Sequence, residues 1–274
     1  MHKPFPISAV AGCLFFLSLV TLLAVTGCKS ATSPPAAPEG MVLVPKGEFV
    51  MGSDRVDREA KAMQYGSTKP WYANENPARK VFLDDFHIDR TEVTNREYKE
   101  FVDAAGHRPP PHWPGPTYPE RLADHPVVAV TWSDAAEYCE WKGKRLPTEA
   151  QWEKAARGAE GRIFPWGDEF DNTKVNTLGE HAGTTPVGTF PGGASPYGAL
   201  DMAGNAQEWT ADWYKQYPGN KYNDEDYGEK FRVIRGGGWG GMGHYTLSVY
   251  VTSPFRGIAR PDGYYDDVGI RCVK

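Results

Sequence analysis

The chain has 274 residues, a formal net charge of −5 and 24% charged residues, and it contains 9 Trp, 14 Tyr and 12 Phe. This length fits one large domain or two small ones, and the aromatic residues supply enough apolar surface for a core. The 30 Gly and 23 Pro argue against a helical bundle, and the aromatic content argues against long disorder. No run of basic residues offers an electrostatic footprint for nucleic acid, so we expect no nucleic-acid partner.

The first 27 residues are predicted to be a lipoprotein signal peptide. Lys3 supplies a positive charge, residues 9–25 are almost wholly apolar, and small residues precede Cys28. In bacterial signals of this pattern the cysteine thiol is lipidated and the preceding segment is removed. The alternative is a retained transmembrane anchor, for which this apolar stretch is at the short limit. Lys29 after the cysteine favours sorting to the outer membrane, on its periplasmic or surface face, in an organism that has one.

The four cysteines then have different fates. Cys13 leaves with the signal peptide and Cys28 carries the lipid, so Cys139 and Cys272 remain. In an oxidising compartment such a pair most simply forms one disulfide. The alternative is a reactive or metal-binding pair of thiols, but neither cysteine has another Cys or a His at the spacing of metal ligands.

Two regions follow the signal peptide. Residues 28–40 comprise the lipidated cysteine and a tether rich in Pro, Ser and Ala. Neither a second linker of this kind nor an internal repeat follows, so we expect one domain over residues 41–274.

The domain shows an α+β pattern with much irregular structure. Apolar runs at 41–45 and 47–52 around a Pro-Lys-Gly turn predict a short hairpin. Residues 81–83 and 86–88 predict a further strand or strand pair. From residue 164 onward turn residues and short aromatic segments prevail.

Three helices have recognisable first residues. Each prediction combines a capping residue with a downstream partner, and glycines end the second and third helices. The helix starts are Thr94 with Glu97, Ser133 with Asp134, and Thr148 with Gln151, and the terminating glycines are Gly143 and Gly158.

A series of motifs occurs in order along the chain. They are Glu92-Val93-Thr94-Asn95, Pro126-Val127-Val128, Tyr138-Cys139-Glu140-Trp141, residues 144–153, Phe164-Pro165-Trp166-Gly167, residues 204–209, Arg235-Gly236-Gly237 and Gly269-Ile270-Arg271-Cys272. This series resembles the formylglycine-generating enzyme (sulfatase-modifying factor) family over essentially residues 41–274. The resemblance implies a modified C-type-lectin-like fold, in which a small twisted antiparallel sheet and a few helices anchor much ordered loop. It also implies the Cys139–Cys272 disulfide.

The resemblance also implies a copper site in the sulfatase-activating members. These members are similar to copper-dependent oxidases, with two metal-binding cysteines downstream of the Arg-Gly-Gly motif. Gly241 and Thr246 stand at those positions here, and neither supplies a thiolate. Cu(I) requires soft ligands, and Met242 and His244 are the nearest candidates. We therefore expect a member without the catalytic cysteine pair and without a copper centre.

A second branch of the family resembles iron-dependent sulfoxide synthases, whose metal ligands come from an additional histidine-rich helical domain. No two histidines of the mature chain have the spacing of helical neighbours, so no ligand set can be nominated. An iron site would require distant histidines to converge, which leaves iron open. These histidines are His87, His107, His112, His125, His181 and His244.

Calcium is the cofactor that the resemblance supports best. The matching ligands are Asp201, Gly204, Ala206 and Glu208, which offer carboxylates and backbone carbonyls, the oxygen donors that calcium prefers. The alternative is a helix start capped by Asn205 with no ion. A second calcium loop would begin at Asn176 and Thr177, but the segment that follows is short for it.

The stretch from residue 239 to 265 has the Tyr-rich and Gly-rich composition of binding loops. It is a candidate ligand surface, and the same region displays ligand-binding residues in lectin-fold variable receptors. A separate aromatic series at Trp209, Trp213 and Tyr214 could stack on sugars, but core packing is the commoner role. The surface residues are Trp239, His244, Tyr245, Tyr250, Tyr264 and Tyr265.

Together these features predict a lipid-anchored protein of the cell envelope. Its domain is expected to be catalytically degenerate and to bind or scaffold a protein partner. The first alternative is an envelope oxidoreductase or protein-modifying enzyme with other metal ligands. The second is a lectin-fold receptor with a variable C-terminal surface.

Overall fold

Three small sheets and a few helices, joined by long ordered loops, make up the structure. The computed structural model describes residues 37–240 and 247–274, all of them within the compact unit Ala37–Lys274. The predicted signal peptide and Cys28 lie outside these residues. The helices are α1 (Lys61–Gln64), α2 (Asn95–Ala105), α3 (Trp132–Trp141) and α4 (Glu149–Arg157), with 3₁₀ turns at Glu120–Leu122, Asn172–Lys174, Pro191–Gly193 and Ser248–Val251. The strands are β1 (Met41–Val44), β2 (Gly47–Met51), β3 (Arg79–Leu83), β4 (Phe86–Asp89), β5 (Gln207–Trp213), β6 (Arg232–Arg235), β7 (Gly257–Ala259) and β8 (Val268–Gly269).

The N-terminal strands do not form the predicted hairpin. Strand β1 pairs antiparallel with β4, from Met41 opposite Asp89, and β2 pairs antiparallel with β3, from Gly47 opposite Leu83. The register is the same in both pairs, so they are two parts of one ribbon interrupted at Pro45. The interruption follows from chemistry, because proline has no N–H to donate to a ladder. The strand or strand pair predicted at 81–83 and 86–88 is present as two strands, β3 and β4, which pair with β2 and β1 and not with each other.

The capping signals locate the three longer helices. Helices α2 and α4 begin after Thr94 and Thr148, and both have complete capping boxes, as predicted. Helix α3 begins two residues earlier than predicted. Its cap is Thr131, whose hydroxyl accepts from the Asp134 N–H while the Asp134 carboxylate accepts from the Thr131 N–H. Ser133 is therefore inside the helix rather than at its start.

The C-terminal half contains a four-stranded sheet that the sequence pattern did not reveal. Its strand order is β7-β6-β5-β8, with β5 and β8 parallel and the other pairs antiparallel. The first four residues of β5 are all buried. Burial on both faces removes the alternation by which a strand is usually detected.

One apolar core joins α2 and α3 to this sheet. Tyr98 and Tyr138 from the helices pack in the same cluster as Trp209 and Ile234 from the sheet. Trp209 is fully buried, which gives it the core role rather than a sugar-stacking one. The structure confirms the disulfide, since Cys139 on α3 is bonded to Cys272 with 5.7 Å between the Cα atoms. No helix within the described residues is long and apolar enough to cross a membrane.

Candidate functional site: a carboxylate cluster and an aromatic cleft

The predicted calcium loop curls tightly before it enters β5. Asp201, Gly204 and Asn205 have φ angles of 56°, 74° and 60°, in the left-handed region that Gly adopts freely and that Asn and Asp adopt more readily than most residues. A side chain at position 204 would lie 2.3 Å from the carbonyl oxygen of Asn176. The close approach therefore requires glycine.

Glu208 is fully buried and completely hydrogen bonded. Its carboxylate accepts from the Trp152 indole at 2.5 Å. Arg271 Nη2 donates to Oε1 at 2.7 Å, and Arg271 Nε lies 2.9 Å from both oxygens. Three N–H groups therefore donate to this carboxylate, and the Arg271 Nε proton is shared between its two oxygens.

Two further carboxylates lie close to this ion pair. Glu92 Oε2 is 3.9 Å from Arg271 Nη2, and Asp201 accepts from the Gly188 N–H at 2.6 Å. Burial raises the pKa of Glu92 well above its ordinary value, and the Asp201 charge raises it further while Arg271 opposes both. Burial also raises the pKa of Asp201 and of Glu208. Three carboxylates around one guanidinium form a site that favours a shared proton or an added cation.

The fit of this loop to calcium depends on Glu208. Asp201 and the loop carbonyls are donors of the right chemistry. An ion at Glu208 would compete with Trp152 and Arg271 for the oxygens of its carboxylate. Within residues 37–240 and 247–274, no three His, Cys, Asp or Glu side chains are already arranged around a common ion position. Calcium binding at Asp201, Gly204, Ala206 and Glu208 stays a prediction.

The second predicted calcium segment lies against the first. The Asn176 carbonyl accepts from the Asn205 N–H at 2.8 Å, and the Thr177 hydroxyl donates to the Gly238 carbonyl at 3.2 Å. The side-chain oxygen of Asn176 is buried without a hydrogen-bond donor among the described residues. An unpartnered oxygen of this kind suits a hard cation. Asn176 and Thr177 thus also stay a prediction.

A cleft of about 320 Å³ opens between the segment at 66–75 and the chain around β7. Its aromatic walls come from five half-buried side chains, and Asn74, Asp224 and Arg256 supply polar groups. A pocket of this size, with aromatic side chains and fixed polar groups in its lining, has the general character of a ligand site. The aromatic residues are Trp71, Tyr72, Tyr222, Tyr250 and Phe255.

The polar groups of the cleft are held by neighbouring side chains. Asp224 accepts from Lys69 at 2.6 Å and from the Tyr214 hydroxyl at 2.9 Å. Arg256 donates from Nε to Glu149 at 2.7 Å. The guanidinium of Arg256 also stacks on the Tyr214 and Tyr217 rings, at 4.9 and 3.9 Å from their centroids. These contacts fix the floor of the cleft.

A second cavity, of about 490 Å³, gathers three distant histidines. His112, His125 and His181 line it together with Trp239 and Asp266. His125 Nδ1 lies 3.1 Å from the Thr184 hydroxyl oxygen, and burial lowers the pKa of this histidine, which favours the neutral imidazole. The convergence was not visible in the sequence because no two of these residues are helical neighbours. They line one cavity without surrounding a common ion position.

The described residues of the predicted ligand surface do not lie together in the structure. Tyr250 lines the aromatic cleft and Trp239 the histidine cavity. Tyr265 packs edge-on against Trp209 at 6.2 Å, and Tyr264 is exposed with Arg108 5.6 Å above its ring. His244 and Tyr245 lie outside the described residues, as do Gly241 and Thr246.

Sequence reasoning missed most residues of the cleft. Trp71, Tyr72 and Asn74 belong to a segment that reads only as polar and irregular. Their one local signal is the pair of adjacent aromatic residues within a loop. Loops placed on a rigid scaffold often carry binding residues, but their position could not be predicted without the fold.

Comparison with known proteins establishes the family. A family model described as the sulfatase-modifying factor enzyme 1-like domain matches residues 29–274. The chain belongs to this family. The formylglycine-generating enzyme of Bos taurus is 31% identical over 87% of this chain and 75% of its own length. A Mus musculus relative, named inactive C-alpha-formylglycine-generating enzyme 2, is 30% identical over 93% of this chain and 92% of its own.

A solved structure supports the fold of the sulfatase-modifying factor family as well. PvdO from Pseudomonas aeruginosa matches with a TM-score of 0.66 and 28% identity, over 85% of this chain and 93% of PvdO. The predicted family and the predicted α+β, modified C-type-lectin-like fold are both confirmed.

The buried pair of Glu208 and Arg271 can be tested by removing one partner. The Arg271→Met variant leaves the Glu208 carboxylate buried without its counter-ion, so we expect the free energy of unfolding to fall by about 3–5 kcal/mol. Urea denaturation measures this change. The control is Lys215→Met, which breaks the exposed pair of Lys215 and Glu229 and should change stability little. Equal effects of the two variants would contradict the role given to Arg271.

The calcium prediction has its own measurement. Calcium that binds the folded loop is expected to raise the melting temperature, with a rise that grows with the logarithm of the calcium concentration, and a chelator is expected to reverse it. Asp201→Asn removes a ligand charge and should abolish the response, whereas the exposed control Asp262→Asn should retain it. A melting temperature that is the same with calcium and with chelator would show that the ion pair alone satisfies Glu208.

Proposed function

We propose that this chain is a lipid-anchored protein of the cell envelope whose sulfatase-modifying factor domain has no formylglycine-generating activity and binds a protein partner. The lipid on Cys28 would attach it to the membrane, with the outer membrane as the destination where one exists. The proposal joins three features: the chemistry of the cysteines, the names of the relatives and an exposed apolar surface.

The fate of the cysteines is the observation that carries the proposal. The matched family domain, residues 29–274, contains two cysteines, Cys139 and Cys272. Both are fully buried and bonded to each other. Gly241 and Thr246 stand where the resemblance implies the copper-binding pair. A soft-metal centre built on thiolates therefore does not fit this donor set.

The names of the relatives indicate that catalytic activity varies within the family. One relative is named a formylglycine-generating enzyme and another an inactive one, at 31% and 30% identity to this chain. A common fold with different site residues is the usual basis of such variation.

An exposed apolar surface supports a partner-binding role. Val56, Met63 and Tyr65 are 61%, 72% and 61% exposed, and they lie within ten residues of one another in the sequence. Large apolar side chains that are exposed within one short segment favour contact with another protein. Tyr65 also stacks on Trp71 at 5.7 Å, which holds this part of the segment in place.

Photo-cross-linking in intact cells tests the partner. A photoreactive amino acid at position 63 of the full chain is expected to give a discrete protein adduct. Tyr65→Asp should remove the adduct, because a charge would have to be desolvated at the contact. The control is Phe82→Asp, which changes another exposed apolar residue on β3 and should leave the adduct intact. Absence of an adduct, or its loss in the control alone, would contradict a partner at this surface.

A catalytic assay tests the other half of the proposal. The full chain in detergent, supplied with copper, oxygen and a cysteine-containing peptide, is expected to leave the peptide unchanged by mass spectrometry. Conversion of the cysteine to an aldehyde would overturn the non-catalytic assignment and favour the enzymatic alternative.

A further inference from the structure

We infer that the aromatic cleft at Trp71 and Tyr250 is a binding site for a neutral carbohydrate. The inference does not depend on the partner proposed above. It follows from three properties of the cleft: rigid aromatic walls, ionic groups that are already paired, and a size that suits a small saccharide.

The walls are held in place before any ligand arrives. Trp71 stacks on Tyr65 with an interplanar angle of 22° and meets Tyr250 edge-on at 6.5 Å. The Trp71 indole N–H donates to the Tyr250 hydroxyl at 3.4 Å, and Tyr250 packs edge-on against Phe255 at 5.3 Å. A ligand that enters between fixed rings loses little free energy to ordering them.

The positive charges of the cleft are matched by carboxylates within the protein. Lys69 is paired with Asp224 and Asp226, and Arg256 is paired with Glu149. Glu75 is fully buried and accepts from Arg55 at 3.1 Å. A charged ligand would have to compete with these pairs and be desolvated, which is unfavourable. A neutral ligand avoids both penalties.

Polar side chains beside these ion pairs still have oxygen atoms that can accept hydrogen bonds from hydroxyls. Asn74 donates to the Tyr214 hydroxyl at 3.0 Å, and that hydroxyl donates to Asp224. Aromatic rings suit a ligand with C–H groups on its faces, and the amide, phenol and carboxylate groups beside them suit O–H groups at its edges. Sugar rings have this combination. The cleft of about 320 Å³ is at the small end of ligand pockets, which fits a monosaccharide or disaccharide.

Other occupants would require a different charge balance. A quaternary ammonium also binds aromatic walls and favours a carboxylate nearby, but Asp224 and Asp226 already bind Lys69, with which such a ligand would compete. At Tyr72 a cationic group is already present, because Arg55 lies 4.2 Å above that ring. Choline is therefore the informative competitor.

The test uses the full chain in detergent with a panel of neutral oligosaccharides, followed by saturation-transfer NMR on the disaccharides that bind. We expect binding that weakens at least tenfold in Trp71→Ala. Trp141→Ala is the matched control, because Trp141 is an exposed tryptophan on α3 that does not line the cleft, and it should bind normally. Tyr222→Ala removes another aromatic residue of the lining and should also weaken binding, so the test remains decisive if Trp71→Ala does not fold.

The results separate the alternatives. Binding of disaccharides alone would indicate a free saccharide, whereas co-sedimentation with insoluble wall glycan would indicate a polymer. No binding to any neutral glycan, equal binding by Trp71→Ala and wild type, or stronger binding of choline would each overturn the inference. None of these outcomes alters the cross-linking result at position 63, so the two proposals fail independently.

Discussion

The cleft and the sheet both depend on a buried ionic network that begins on helix α4. Glu149 and Glu153 occupy one face of this helix, and Arg235 at the end of β6 reaches both, at 3.1 and 2.6 Å. Arg256 pairs with Glu149 and also donates to the Asn74 carbonyl at 2.9 Å. Burial by itself raises the pKa of Glu149, but Arg256 and Arg235 outweigh that effect and hold it below its ordinary value. The carboxylate is therefore charged at neutral pH, and the helix is connected electrostatically to the floor of the cleft.

A chain with so much irregular structure needs such connections. The Arg235 guanidinium also donates to the carbonyls of Ser253 and Pro254, which satisfies backbone groups that no regular ladder reaches. Arg271 has a similar role at the other end of the sheet, where it donates to the carbonyls of Asp89 and Leu200. Buried arginines thus replace the hydrogen bonding of regular secondary structure, which explains how long loops can form a rigid binding site.

The sequence predicted the features that depend on neighbouring residues. Thr94 and Thr148 marked two helices because a capping box is complete within four positions. The ordered motifs predicted the fold, and the disulfide was predicted from the two cysteines that lie beyond the predicted signal peptide and lipidation site. The ribbon of β1 to β4, the strand β5 and the cleft depend on contacts between distant segments. Arg256 and Glu149, for example, meet across 107 positions, and no local pattern encodes that pairing.

The proposed function depends on the expectation that the domain has no thiolate pair. Gly241 and Thr246 stand at the positions where the resemblance implies cysteines, and Cys139 and Cys272 form the buried disulfide. A titration of the full chain with Cu(I), in competition with a chromophoric chelator, tests this claim most directly. The account predicts that the chelator keeps the copper at every protein concentration. A stoichiometric, tight one-to-one complex would contradict it and would show that other ligands have replaced the cysteines.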